Sequence, residues 1–165
     1  MARASAEHLS AETFVDMAIK MVLDPVTILS PGQKAQKTAR WARTMTKWLI
    51  TYSRRNGAKW RFVEFGGITG SESYGIVDIL AIRKDHKTKK EGIKRGDLFD
   101  LVLIQTKGGS ARFPTDSDID RLITAADYHR AKAVVLAEWK LGMKLNLYRL
   151  VDRTWQLTNP MDIFG

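Results

Sequence analysis

Three polar residues interrupt two apolar runs in this chain, and their types and spacing suit one kind of chemistry. The first run reads Gly75-Ile76-Val77-Asp78-Ile79-Leu80-Ala81-Ile82, the second Leu101-Val102-Leu103-Ile104-Gln105-Thr106-Lys107-Gly108-Gly109. An acid within a buried strand is costly unless it is paired or holds a cation. Gln105 and Lys107 are two apart, so in a strand they share a face. Asp78 is the natural principal ligand for a hard cation, Gln105 offers a neutral amide oxygen, and a backbone carbonyl near Thr106 can complete the shell. Such a cation neutralises a phosphate and acidifies bound water. Lys107 can then orient or help deprotonate that water, or stabilise the oxyanion that forms. These are the working parts of phosphodiester hydrolysis.

With Gln105 uncharged, a second carboxylate is needed. If Phe65 pairs near Gly75 across the Gly- and Ser-rich turn 66–73, Glu64 falls on the same sheet face as Asp78 and becomes the second ligand. Glu72 in the turn and Asp100 at the mouth of the later strand are weaker candidates. A register slip of one residue would turn Glu64 to the opposite face.

The elements that must hold these residues are legible in the pattern. Apolar residues Phe14, Met17, Ala18, Met21 and Val22 at helical spacing predict a packing helix over 10–24, stopped by Asp24-Pro25. Ser30-Pro31 is a helix start and Asn56-Gly57 a stop, giving one long helix over 31–55 with Ala35, Ala39, Ala42, Met45 or Thr46, and Leu49 as its apolar stripe. Residues 59–65, 74–82 and 99–107 read as three strands. Thr115 or Ser117 caps a helix whose first turn holds Asp116, Asp118 and Asp120, with Ile119, Leu122, Ile123 and Ala126 inside. The apolar run 131–138 is an interior strand, 144–151 adds another, and 153–165 closes the domain. One domain of 165 residues is expected, with its core over 31–151 and helix 10–24 as an extension.

Charge is distributed unevenly. Residues 31–55 hold seven bases and no acid, and residues 83–97 hold seven bases and three acids, so these stretches carry +7 and +4 of a net +9 and the remainder is −2. A helix that is merely solvated tends to carry pairs of opposite sign. The partition therefore points to a polyanion, nucleic acid before membrane. Lys37, Arg40, Arg43 and Lys47 on the helix, and Lys87, Lys89 and Lys90 in a basic arm between the strands, are the candidate phosphate contacts. Trp41, Trp48 and Tyr52 interleave with the bases and could stack on nucleobases, with core packing expected for at least two of them.

Other classes fall away. There is no cysteine, so disulfides and thiolate metal sites are excluded. His8, His86 and His129 lack metal-ligand spacing. Gly66-Gly67-Ile68-Thr69-Gly70 lacks the Lys-Ser/Thr of a phosphate loop. No signal-like core opens the chain and no apolar run of about 18 residues occurs, so a cytoplasmic protein without a membrane partner is expected.

The order helix, three-strand meander, helix, strand, with Asp78 on the second strand and Gln105-x-Lys107 on the third, resembles the PD-(D/E)xK nuclease superfamily over residues 31–139. Gln105 stands where Glu or Asp is usual, as in the Mrr-like restriction endonucleases, and Val77 stands where Pro usually precedes the acid. The helix 31–55 also lacks the Glu that the family often carries there. The resemblance implies an α/β, restriction-endonuclease-like αβββαβ core with a mixed central sheet flanked by helices. It also implies a DNA endonuclease using Mg²⁺ or Mn²⁺ at Asp78 and Gln105, to which the strand pairing adds Glu64, with Lys107 serving the water, and acting in restriction, repair or junction processing. A homodimer would cut both strands together. A nucleic-acid binder that has lost cleavage, and a subunit of a larger assembly, are the competing expectations.

Overall fold

A computed structural model of the chain describes residues 29–53, 59–65 and 75–165. The expected helix 10–24 lies outside the described residues, as does Glu72 of the Gly- and Ser-rich turn. Helix α1 (Pro31–Ser53) begins where its signals place it. Ser30 Oγ accepts from the Gln33 N–H at 3.3 Å and the Gln33 side chain accepts from the Ser30 N–H at 2.9 Å. This reciprocal pair is a capping box. The inward face of α1 is Ala42, Thr46 and Ile50, each fully buried, flanked by Trp41, Met45 and Leu49. The stripe thus begins a turn later than expected, and Ala35 is exposed. Thr46 is tolerated there because its hydroxyl donates to the Ala42 carbonyl at 2.7 Å, a local bond that satisfies it within the helix.

Six strands follow in chain order: β1 (Arg61–Glu64), β2 (Ile79–Lys84), β3 (Phe99–Gly108), β4 (Ala133–Trp139), β5 (Asn146–Val151) and β6 (Thr154–Thr158). They form one sheet in that order, antiparallel throughout except for β3 and β4. A parallel pair needs a crossover, supplied by helix α2 (Asp116–His129). Thr115 caps it, in a second capping box with Asp118. The fold is therefore α/β, a mixed sheet with helices on both faces and the expected αβββαβ order.

On the α1 face the core is built from Ile79, Ala81, Val102, Ile104, Val135 and Ala137. The α2 face buries Leu103, Val134 and Leu136 with Ile119 and Leu122 of the helix. Because β4 is covered on both sides, its sequence is a continuous apolar run. At the end of β3, Gly108 lets α1 approach. A Cβ there would meet Thr38 Cγ2 at 2.9 Å and the Thr38 carbonyl oxygen at 3.1 Å.

A short helix α3 (Pro160–Phe164) closes the chain over the first core. Buried Arg83 ties it down: its Nε pairs with Asp100 at 3.0 Å, its Nη1 donates to the carbonyls of Phe164 and Gly165, and its guanidinium stacks on Trp60. Asp100 also takes Lys132 at 3.2 Å. That carboxylate is a clamp for the end of the fold, at the opposite end of β3 from Gln105.

Candidate active site

Asp78 lies immediately before β2, not within it. Its N–H donates to the Ile104 carbonyl at 3.0 Å, although Ile104 is already the ladder partner of Ile79. Two residues set against one is the count of a β-bulge, which takes Asp78 out of the regular alternation. Its carboxylate then occupies the place of a ladder acceptor. Oδ2 receives the Thr106 N–H at 2.6 Å and the Thr106 hydroxyl at 3.0 Å. This grip fixes the half-buried acid against the residue between Gln105 and Lys107.

Gln105 and Lys107 share the α2 face, as alternation requires, and pair with Leu136 and Glu138 of β4. Gln105 is only 7% exposed, and its Oε1 is buried with no hydrogen-bond partner among the described residues. A bare amide oxygen of this kind costs about 1–3 kcal/mol unless something binds it. Half-buried Lys107 reaches toward the start of α2, where its charge is one of the influences that lower the pKa of Asp118. The larger causes there are the N–H and hydroxyl of Thr115.

Glu64 is not beside Asp78. The register sets Glu64 opposite Ile79, and the Phe65 N–H donates to the Asp78 carbonyl at 2.9 Å, so Phe65 and not Glu64 stands across from the acid. The expected pairing of Phe65 with Gly75 is off by three residues. Ile79 belongs to the α1 core, and Glu64 accordingly turns to α1, where it is held by Lys47 and by Arg43 at 3.4 Å. Arg43 and Lys47, expected as phosphate contacts, are half-buried and each pairs with Glu64. Lys37 and Arg40, with Lys34, are exposed and form no ion pair among the described residues. Of the aromatics, Trp41 packs on the core, whereas Trp48 and Tyr52 lie against each other on the outside at 4.7 Å.

Glu138 is a site neighbour that the sequence reading misses. It stands beside Lys107 across the parallel pair on the same face, accepts from the Tyr148 hydroxyl at 3.2 Å and pairs with Lys140 at 3.0 Å. Burial, and then the Glu138 charge, push the Tyr148 pKa up. A signal was available, since Glu138 interrupts an apolar run of the sequence just as Asp78 does. Among the described residues no cluster of three His, Asp or Glu side chains is assembled. No described helix is long and apolar enough to cross a membrane.

Lys87, Lys89 and Lys90 lie far from this centre. They sit in the β2–β3 loop, at the other end of the six-residue strand β2 from Asp78. At roughly 3.3 Å per strand residue, the two ends are roughly 20 Å apart.

No protein-family model matches the chain, and no curated protein does. Among solved structures it is similar to Hjc, a Holliday junction resolvase from Archaeoglobus fulgidus, with 11% identity and a TM-score of 0.39 over 73% of this chain and 84% of that one. At that distance the functional reading rests on this chain's own residues.

Proposed function

We propose that this chain is a metal-dependent endodeoxyribonuclease, hydrolysing DNA phosphodiester bonds with Mg²⁺ or Mn²⁺. The observation that supports the reading is the grip on Asp78 by Thr106, next in sequence to Gln105, whose buried Oε1 has no hydrogen-bond partner among the described residues. One carboxylate and one amide oxygen suit Mg²⁺, which takes one or two carboxylates and completes its shell with waters and phosphate oxygens. Asp78 and Gln105 would hold the ion. When bound, it would neutralise the scissile phosphate and acidify the attacking water.

Each protein group then has a task. Thr106 holds the Asp78 carboxylate in one orientation through two donors. Lys107, one residue further along the same strand, supplies positive charge for the developing oxyanion or aligns the water. Glu138 gives Lys107 an anionic neighbour on the same face. Lys34, Lys37 and Arg40 line the outer side of α1, whose Thr38 abuts Gly108, and would meet the DNA backbone near the cut. A second copy would bring the second site needed to cut both strands.

One observation favours a second reading, a DNA binder without cleavage on the same fold: Glu64 is committed to α1, which leaves Asp78 without Glu64 as a second carboxylate. Labelled linear, nicked and branched DNA incubated with and without Mg²⁺ or Mn²⁺ separates the two. Cutting that requires the cation and is lost in Asp78→Ala and Lys107→Ala is the expected result. Salt-sensitive binding with no cutting under any of these conditions would establish the second reading instead.

A further inference from the structure

The β2–β3 loop is a built structure rather than a loose basic arm. The Asp85 N–H donates to the Leu98 carbonyl at 2.8 Å, the Gly96 N–H to the Asp85 carbonyl at 3.1 Å, and Lys90 and Ile93 form a bridge. The Asp85 carboxylate accepts from the N–H groups of Lys87 and Thr88 at 2.7 and 3.1 Å. Together these bonds shape a concavity of about 320 Å³ lined by His86, Thr88, Lys89, Lys90, Glu91 and Arg95, with Ile93. Gly96, at φ +87°, permits that shape: a Cβ there would meet the His86 ring at 3.1 Å.

Part of the positive charge is consumed by acids within the fold. Arg43, Lys47, Arg83, Lys132, Lys140 and Arg153 each pair with an acid. Lys89, Lys90 and Arg95 form no ion pair among the described residues, and a single acid, Glu91, shares their wall. Three cations without an acid partner around one concavity suit a phosphate group. The seat lies beyond the far end of β2 from Asp78, a separation of roughly 20 Å at the usual rise of a strand.

We infer that this loop is a second backbone-phosphate seat, which holds duplex DNA about six phosphates away from the scissile bond, at about 3.4 Å per phosphate along a strand. The inference rests on the nuclease reading for the position of the cut. The seat makes affinity depend on duplex length, because a short duplex engages the Asp78 end or the loop but not both.

Binding measured by fluorescence anisotropy in EDTA, where no cutting occurs, tests the seat independently of catalysis. Wild-type chain and the exposed-residue variant Lys89→Gln/Arg95→Gln are titrated over a salt series with a 20-bp duplex and with a 4-bp hairpin duplex, which at about 3.4 Å per base pair is too short to reach both ends. The variant is expected to bind the 20-bp duplex at least threefold more weakly, with the slope of log K against log salt reduced by about one to two. Its preference for the longer duplex should shrink correspondingly. An unchanged slope and an unchanged length preference would overturn the proposal. So would tight binding of inorganic phosphate to the loop, read from amide NMR shifts of residues 85–97, if duplex binding is indifferent to the substitutions.

Discussion

At the scale of single residues, Thr106 makes the difference between an acid near a strand and an acid that can serve a cation. It contributes both its N–H and its hydroxyl to one oxygen of Asp78. Removing the hydroxyl while keeping the shape, in Thr106→Val, is expected to raise the Mg²⁺ concentration for half-maximal cutting by about tenfold, the usual effect of losing a partner that orients a ligand. Thr106→Ser should restore it, and a Mg²⁺ titration of the cleavage rate reads both. Gln105 sits at the opposite extreme, buried and without a partner for Oε1 among the described residues. Gln105→Glu places a charge there that only a cation can satisfy. Its melting temperature should fall without divalent ions and rise with Mg²⁺ by more than that of the wild type; equal Mg²⁺ shifts in the two proteins would remove Gln105 from the ion's shell. Of these residues the sequence marks Asp78, Gln105 and Lys107 as candidates, because each breaks an apolar run. It cannot expose the Thr106 grip, which depends on a bulge that forms only when β2 meets β3.

At the scale of elements, that bulge also explains where sequence reasoning about Glu64 fails. Alternation alone extends β2 back to Tyr74, whereas the ladder begins at Ile79, and the shifted register turns Glu64 toward α1. Strand β6 reads in the sequence only as a closing segment for a related reason. The β5–β6 turn uses Asp152 and Arg153, both at positive φ, without the Gly that marks such hairpins in a sequence. Arg153 is held there by an ion pair to Asp120 of α2. Helix α1 and strands β3 and β4 were legible because capping and apolar runs are local signals. The α3 clamp was not, since Arg83 meets Phe164 and Gly165 across about half the chain. In Arg83→Ala, Asp100, whose side chain is 18% exposed, keeps only Lys132 beside it. Losing the buried guanidinium, which also holds the Phe164 and Gly165 carbonyls, should cost about 3 kcal/mol or more in urea unfolding. A change under about 1 kcal/mol would refute the clamp. The β2–β3 loop carries a pH response of defined sign. Bonds from the Thr88 hydroxyl and the Lys87 and Thr88 N–H groups lower the Asp85 pKa to about 2. A depressed carboxyl contributes order above its unfolded value, near 4, and loses that contribution as pH falls toward 2. Amide exchange at Lys87 and Thr88, corrected for the intrinsic pH dependence of exchange, should accelerate over that window and stay flat between pH 5 and 7.

At the scale of the whole molecule, the excess charge acquires an arrangement that its total does not reveal. Bases that count equally in the sequence divide into those consumed within the fold, such as Arg43 and Lys47 on Glu64, and those left facing outward, Lys34, Lys37 and Arg40 at one end of the β2–β3 pair and Lys89, Lys90 and Arg95 at the other. On the proposed reading DNA would bridge the two ends, with Asp78, Gln105 and Lys107 at the first of them. The most direct test of that account is the single-turnover rate at which a labelled 20-bp duplex is cut at saturating protein and Mg²⁺, compared between wild type and Asp78→Asn. The substitution keeps the side chain's size and an oxygen for Thr106 but removes the charge that holds the ion. A loss of about a thousandfold or more, with DNA binding retained, is the expected result. Mg²⁺-dependent cutting by Asp78→Asn within tenfold of the wild-type rate would contradict it.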